Sequence, residues 1–69
     1  MIPVGAKVRV IQRGRLNGLT GVVKRMVGDI PPFNCLVVMD SYTHVWPDGK
    51  TVDNELIFSP DKIEEVKGS

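Results

Sequence analysis

Side chains able to do covalent or metal chemistry are few in this 69-residue chain. Cys35 is its single cysteine and His44 its single histidine, so it offers neither an internal disulfide nor a His/Cys zinc cluster. A nucleophilic cysteine needs a positioned base, and nothing in the sequence places His44 beside Cys35. We therefore predict no catalytic residue, no metal site and no cofactor, in a protein that is not an enzyme.

The carboxylates do not form a catalytic pattern either. Asp48, Asp53 and Asp61 fall in segments with the composition of turns, where aspartate commonly accepts local backbone hydrogen bonds. The chain also lacks a glycine-rich loop with the lysine spacing of a phosphate-binding loop. The sequence therefore favours binding over catalysis.

Formal charge is distributed unevenly along the chain. Residues 1–28 carry six basic residues and no acid, a net charge of +6, whereas residues 29–69 carry a net charge of −5. A basic face on a nearly neutral protein indicates an anionic partner. The same distribution also fits a fold in which the two parts neutralise each other through surface ion pairs, which are common and weak.

Glycine and proline divide the chain into short segments. Seven Gly and five Pro interrupt it, and no stretch of ten keeps the apolar period of a helix. We predict one all-β domain over residues 1–69, a small barrel of five to six short antiparallel strands. The predicted strands cover about 6–12, 20–27, 35–39, 42–46 with 50–52, 54–58 and 63–66. Ser59 as cap and Pro60 as first helical residue predict one short helical turn before the last strand.

Two of these segments carry further structural expectations. The apolar run 35–39 predicts a central strand that is buried on both faces. Pro47-Asp48-Gly49 predicts a hairpin turn in which Pro sets φ, Asp accepts local hydrogen bonds and Gly takes the left-handed position. Tyr42 and Trp46 lie beside this hairpin, where exposed rings would stack on bases or grip a peptide. In so small a protein, covering one end of the barrel is the favoured alternative for both rings.

Residues 5–23 resemble the KOW motif of some ribosomal proteins and of NusG-type transcription elongation factors. The matching positions are Gly5, Val8, Val10, Gly14, Gly18, Gly21 and Val23. One extra residue between Val10 and Gly14 departs from the motif. The resemblance covers about the first third of the chain and implies an SH3-like barrel with a projecting glycine-rich loop. Gly21 would permit a bend or bulge where the barrel curves.

In KOW proteins the glycine-rich loop often contacts RNA or another protein, and the resemblance implies the same here. Arginine suits such contacts because its planar guanidinium group donates two parallel hydrogen bonds to phosphate. The expected function is docking onto RNA or onto a nucleoprotein assembly of transcription or translation. A solvated loop with incidental charge is the alternative. The candidate contact residues are Lys7, Arg9, Arg13, Arg15, Asn17, Lys24 and Arg25.

A second resemblance implies a different partner. Residues 5–10 and 62–66 are similar to the small SH3-like subunits of photosynthetic complexes, which dock acidic electron carriers such as ferredoxin. This likeness is weaker because that family does not need the three-glycine loop. It implies a protein-docking subunit or regulator that binds an acidic protein, such as an electron carrier or a host enzyme.

Location and assembly follow from hydropathy and size. No apolar run approaches the roughly 18 residues of a membrane span, and the first residues lack the basic and apolar regions of a signal peptide. We therefore expect a cytoplasmic protein without a membrane partner, in agreement with its lone cysteine. A chain this short builds only a marginal core, so weak self-association is a further expectation.

Overall fold

The computed structural model describes residues 2–50 and 52–67, with the side chains of 44 and 52 excepted. Five of the strands form one antiparallel sheet in the order β6-β3-β2-β1-β7, and β4 pairs with β5 in a separate hairpin. The predicted all-β class, the five antiparallel strands and the short helical turn before the last strand are confirmed. The elements are β1 (Lys7–Val10), β2 (Thr20–Val27), β3 (Asn34–Met39), β4 (His44–Val45), β5 (Val52–Asp53), β6 (Glu55–Phe58), a 3-10 turn (Pro60–Lys62) and β7 (Ile63–Glu65).

Strand β1 shows how the sequence pattern creates an inner and an outer face. Successive side chains of a strand point to opposite sides. Val8 and Val10 are accordingly buried, whereas Lys7 and Arg9 are exposed. The outer face therefore carries the charges of the basic segment, and the inner face carries the core.

The core consists of eight buried apolar side chains contributed by all five strands of the large sheet. Since the described residues include no helix layer or second large sheet over this face, the five strands must curve around these side chains. Strands β6 and β7 lie at the two edges, and within the described ranges no ladder joins them. The eight residues are Val8, Val10, Val23, Cys35, Val37, Met39, Phe58 and Ile63.

Strand β3 differs from its prediction on one face. Cys35, Val37 and Met39 are buried, but Leu36 and Val38 on the opposite face are only half-buried. The expectation of burial on both faces is wrong because, among the described residues, no second layer covers the outer side of the sheet. This side therefore presents apolar side chains to solvent or to a partner.

Gly21 allows two strands to approach closely. A Cβ atom at this position would lie 2.6 Å from Cγ1 of Val37 and 2.6 Å from the carbonyl oxygen of Val38. The irregularity in the pairing of β2 with β3 instead lies between Val23 and Arg25. Of the bend or bulge expected at Gly21, the bulge is therefore wrong, and glycine is needed there because β2 and β3 leave no room for a side chain.

The hairpin turn follows the predicted chemistry. Gly49 has a φ of 73°, and its N–H donates to the carbonyl of Trp46 at 2.9 Å. The N–H of Lys50 donates to Oδ1 of Asp48 at 2.8 Å. The strands β4 and β5 are shorter than predicted, and residue 51 of the predicted second strand lies outside the described residues.

The 3-10 turn begins at Pro60, as its sequence predicts, but Ser59 does not cap it through its hydroxyl group. The main chain holds the turn instead, because the N–H of Lys62 donates to the carbonyl of Ser59 at 2.9 Å. The side-chain cap is therefore a wrong prediction. Across residues 2–50 and 52–67, the structure has no helix with the length and hydropathy needed to cross a membrane.

Candidate binding surfaces

The loop 11–19 that connects β1 to β2 is held by main-chain hydrogen bonds. The N–H of Val10 donates to the carbonyl of Leu19 at 2.8 Å, and the N–H of Gly18 donates back to the carbonyl of Val10 at 2.8 Å. Gly14 and Gly18 have φ angles of 119° and 87°, which side chains with a Cβ rarely adopt. These two glycines therefore allow the loop to turn back within nine residues.

Side chains brace the same loop from both sides. The amide nitrogen of Asn17 donates to the carbonyl of Gln12 at 3.1 Å, and Leu16 and Leu19 pack against the core. The Asn17 side chain, a sequence-predicted contact residue, thus spans the loop and keeps its amide oxygen as an acceptor. The loop consequently has a defined shape before any partner binds.

Arg13 and Arg15 lie on this loop with exposed side chains. Neither forms an ion pair with any residue that the structure describes. Each guanidinium group therefore keeps its full set of hydrogen-bond donors for an external acceptor.

Lys62 is a further cation near the loop that the sequence analysis did not include. The N–H of Ile11 donates to the carbonyl of Lys62 at 2.9 Å, which places the end of the 3-10 turn beside the start of the loop. Pairing the predicted last strand with β1 in the sequence analysis would have indicated that Lys62 lies near the loop. Asp61 precedes Lys62 and is also exposed, so it reduces the positive charge at this point.

Three of the six basic residues in the first part of the chain are neutralised. Among the described residues the structure forms three ion pairs, and each joins one of these cations to an acid from the second part. The paired side chains remain between 26% and 58% exposed, so each pair contributes little stability. The pairs are Lys7 with Asp40, Arg9 with Glu64 at 3.4 Å, and Lys24 with Glu55 at 3.0 Å.

Asp40 is bound by two neighbours on the outer face. The Lys7 ammonium group donates to its carboxylate, and the Thr20 hydroxyl donates to the same oxygen at 2.7 Å. The hydrogen bond from Lys7, followed by the one from Thr20, lowers the pKa of Asp40 below its ordinary value. The Lys7 charge is thereby directed at an internal acid.

Lys24 and Arg25 lie on β2, as the predicted strand 20–27 places them, but at a distance from the loop 11–19. Lys24 follows Thr20 by four positions, or about 13 Å of extended strand. At the bulge after Val23 both basic side chains are exposed, and Arg25 lies opposite Leu36 in register. The seven predicted contact residues therefore form three sets. Three lie on the loop, and three are strand cations that are already paired with an acid. Arg25 is the seventh and lies at a separate site on β2.

An open groove of about 710 Å³ lies on the outer face at this separate site. We call it the outer groove. Trp46 and Ile57 are its most exposed apolar members, with 46% and 56% of their surfaces accessible. Tyr42, the other predicted stacking residue, is half-buried and packs against the core. The groove is lined by Lys24, Arg25, Leu36, Trp46, Asp53, Glu55, Leu56 and Ile57.

A second concavity of about 490 Å³ lies near the loop between β2 and β3. Its lining residues are all apolar and include three prolines. The structure offers no charged group in this lining to orient a ligand. The residues are Met26, Pro31, Pro32, Phe33 and Pro60.

The chemically reactive candidates are kept apart from these surfaces. Cys35 is fully buried on the inner face, and burial raises the pKa of its thiol. The side chain of His44, which was weighed as its base, lies outside the described residues. In the described part of the chain, no three potential metal ligands cluster together.

Comparisons with known proteins return no relative. The chain matches no protein-family model, no curated protein and no solved structure.

Proposed function

We propose that this chain is a small non-catalytic cytoplasmic module that contacts RNA, alone or in a nucleoprotein assembly, through the loop 11–19. The observation that carries the proposal is the contrast between loop and strand cations. Arg13 and Arg15 are exposed and have no acidic partner among the described residues, whereas Lys7 and Arg9 are paired within the molecule.

The pairing state of a cation determines what it can contribute to binding. A paired arginine must break its internal ion pair before it can neutralise a phosphate. The loss of that ion pair offsets most of the binding free energy that the phosphate contact supplies. An unpaired guanidinium group neutralises a phosphate directly and releases the counterions condensed around the RNA. Arg13 and Arg15 are therefore the principal contact residues of the proposal, and the main chain of Lys62, a further exposed cation, lies beside the start of the loop.

The conformation of the loop also supports a binding role. Main-chain hydrogen bonds at its base, the Asn17 side chain and two half-buried leucines that pack against the core hold it in one shape. A contact segment that is already ordered loses less conformational entropy when it binds. Gly14 and Gly18, which take positive φ, are two of the glycines on which the resemblance to KOW proteins depends.

Docking to an acidic protein is the second candidate function. It is supported by the small number of unpaired cations on the loop and by Asp61, an exposed acid next to Lys62 in the sequence, which would repel an extended polyanion. Binding to a compact acidic patch on a protein requires fewer cations than binding along a phosphate backbone. The same two arginines would carry this function.

Binding to single-stranded RNA tests the first candidate directly. We expect fluorescence anisotropy to show association at about 50 mM salt and roughly twentyfold weaker association at about 200 mM salt, as for about three phosphate contacts. Arg13→Glu/Arg15→Glu should abolish binding while its circular dichroism stays unchanged. Lys50→Glu, which changes an exposed cation on the hairpin turn, is the matched control and should bind almost as well as the wild type.

The outcome at low salt separates the two candidates. No association with RNA at about 50 mM salt contradicts the first. In that case an acidic protein that is retained after nuclease treatment, and is lost with Arg13→Glu/Arg15→Glu, supports the second.

A further inference from the structure

We propose that the outer groove holds a second copy of this chain in a two-fold symmetric dimer. This inference goes beyond the proposed function and does not depend on it, because the groove lies on strands β2, β3, β5 and β6 together with Trp46. The loop arginines Arg13 and Arg15 are not among its lining residues.

The apolar part of the groove provides the first reason. Ile57 lies directly opposite Leu36 in the β3–β6 register, and both side chains belong to the uncovered outer face. Trp46, from the segment after β4, lines the same groove and is 46% exposed. Neighbouring exposed apolar side chains that are flanked by charged residues are typical of protein interfaces.

The charges of the groove indicate which partner fits. Two cations and two acids line it, and Lys24 is already paired with Glu55. Arg25 and Asp53 remain, and within residues 2–50 and 52–67 neither forms an ion pair. A polyanion would meet both carboxylates, so the balance of charge disfavours RNA at this site.

A second copy satisfies both unpaired groups at once. In a two-fold interface the same surface contributes from each molecule, so a contact between two different residues occurs twice. Arg25 of one copy then meets Asp53 of the other, and the reciprocal pair forms on the far side of the axis. Two ion pairs result around an apolar centre formed by Ile57 and Trp46.

The edge of β6 determines how the copies meet. Met39 donates its N–H to the carbonyl of Asn54 at 2.7 Å, so Glu55, the next residue, turns its backbone groups away from β3. Its N–H is already bound to Oδ1 of Asp53 at 2.9 Å. Strand addition along β6 would therefore meet one edge donor that is already occupied, and in the proposed dimer the copies meet through their faces.

The core is small, so dimerisation would add to the stability of the fold. Only eight side chains of the described residues are buried, and five of them are Val or Cys. Domains of this size rarely gain more than about 3–5 kcal/mol from one core. Association stabilises the folded chain by mass action, so unfolding should shift to higher temperature as concentration rises.

Sedimentation equilibrium over a range from micromolar to millimolar protein tests the dimer. We expect the mean mass to rise from the 7.6 kDa of one chain toward twice that value. Arg25→Glu and Asp53→Lys should each raise the dissociation constant at least tenfold, because like charges then face each other. An equimolar mixture of the two variants should dimerise again, since each new charge finds its opposite in the other protein.

Controls and a second variant keep the outcome decisive. Asp53→Lys also removes the bond to the Glu55 N–H, so its fold must first be checked by circular dichroism. If it is unfolded, Ile57→Glu replaces it, since this exposed position tolerates a charge in the monomer but not in the interface. Lys50→Glu should dimerise as the wild type does.

Three results would overturn the proposal. A wild-type chain that remains monomeric at millimolar concentration has no such interface. A dimer that persists unchanged in both Arg25→Glu and Ile57→Glu uses another surface. A groove that is filled only when a different polypeptide is added identifies a partner other than a second copy.

Discussion

Nη1 of Arg9 lies 3.4 Å from Oε1 of Glu64, although 55 positions separate the two residues in the sequence. They are direct neighbours in the register of β1 and β7. This pair and the two others, formed by Lys7 and Lys24, each join a cation of the basic part of the chain to an acid of the acidic part. The positive surface is therefore smaller than the sequence suggests, and on the loop it is concentrated at Arg13 and Arg15.

The first prediction concerns the reactivity of Cys35. Because this thiol is fully buried and its pKa is raised by burial, a maleimide reagent should reach it only through unfolding. With a stability of about 3 kcal/mol, native labelling should be about a hundredfold slower than labelling in guanidinium chloride. Equal labelling rates with and without denaturant would contradict the burial of Cys35.

The second prediction concerns the close approach of β2 and β3. Gly21→Ala places a methyl group 2.6 Å from Cγ1 of Val37 and from the backbone oxygen of Val38. Overpacking of this kind costs about 1–3 kcal/mol. Each kcal/mol lowers the Tm by about 4–8 °C in a domain of this size. The control is Val22→Ala at the adjacent exposed position, which should change the Tm less, and the reverse order would refute the packing account.

The third prediction concerns the pH dependence of stability. The folded-state pKa of Asp40 is lowered by Lys7 and Thr20, so its interactions stabilise the fold above the ordinary pKa of 3.8. This contribution is lost as the pH falls through 3.8 and then through the lower folded-state pKa. Asp40→Asn should therefore lower the Tm at pH 7 and have little effect near pH 2. Since the Asp40 side chain is 38% exposed, the difference should be small and should shrink in high salt.

The strands and turns were predictable because their signals are local. The range 20–27 of the second strand matches the structure fully, since it is bounded by turn residues and carries β-branched side chains. The positive φ values of Gly14, Gly18 and Gly49 follow from the same local requirement. Each of these features is determined by residues that lie close to it in the sequence.

The composition of the surfaces was not predictable, because it depends on register. Whether Arg9 is paired depends on which residue of the last strand lies opposite it. That residue is Glu64, which is 55 positions away in the sequence. Lys62 reaches the loop only through the pairing of β7 with β1. Trp46 and Ile57 meet in one groove through tertiary packing. The sequence therefore predicts that arginines lie on the loop, where the structure shows them exposed, but it does not predict which strand cations are neutralised.

The fourth prediction compares unpaired with paired arginines. Arg13→Gln/Arg15→Gln removes two loop cations without adding a negative charge. Arg9→Gln/Glu64→Gln removes one ion pair and leaves the net charge unchanged, so it is the control for the loss of a paired arginine. Both variants should keep the wild-type circular dichroism spectrum, because all four side chains are solvent-exposed.

The salt dependence of RNA binding by these two variants tests the central claim most directly. In a plot of log K against log salt, the slope should become shallower by about 0.7 for each phosphate contact that is lost. Arg13→Gln/Arg15→Gln should therefore lower the magnitude of the slope by about 1.4, while Arg9→Gln/Glu64→Gln should leave it at the wild-type value. Equal slopes for the wild type and the loop variant, or a shallower slope for the Arg9 control, would contradict the account.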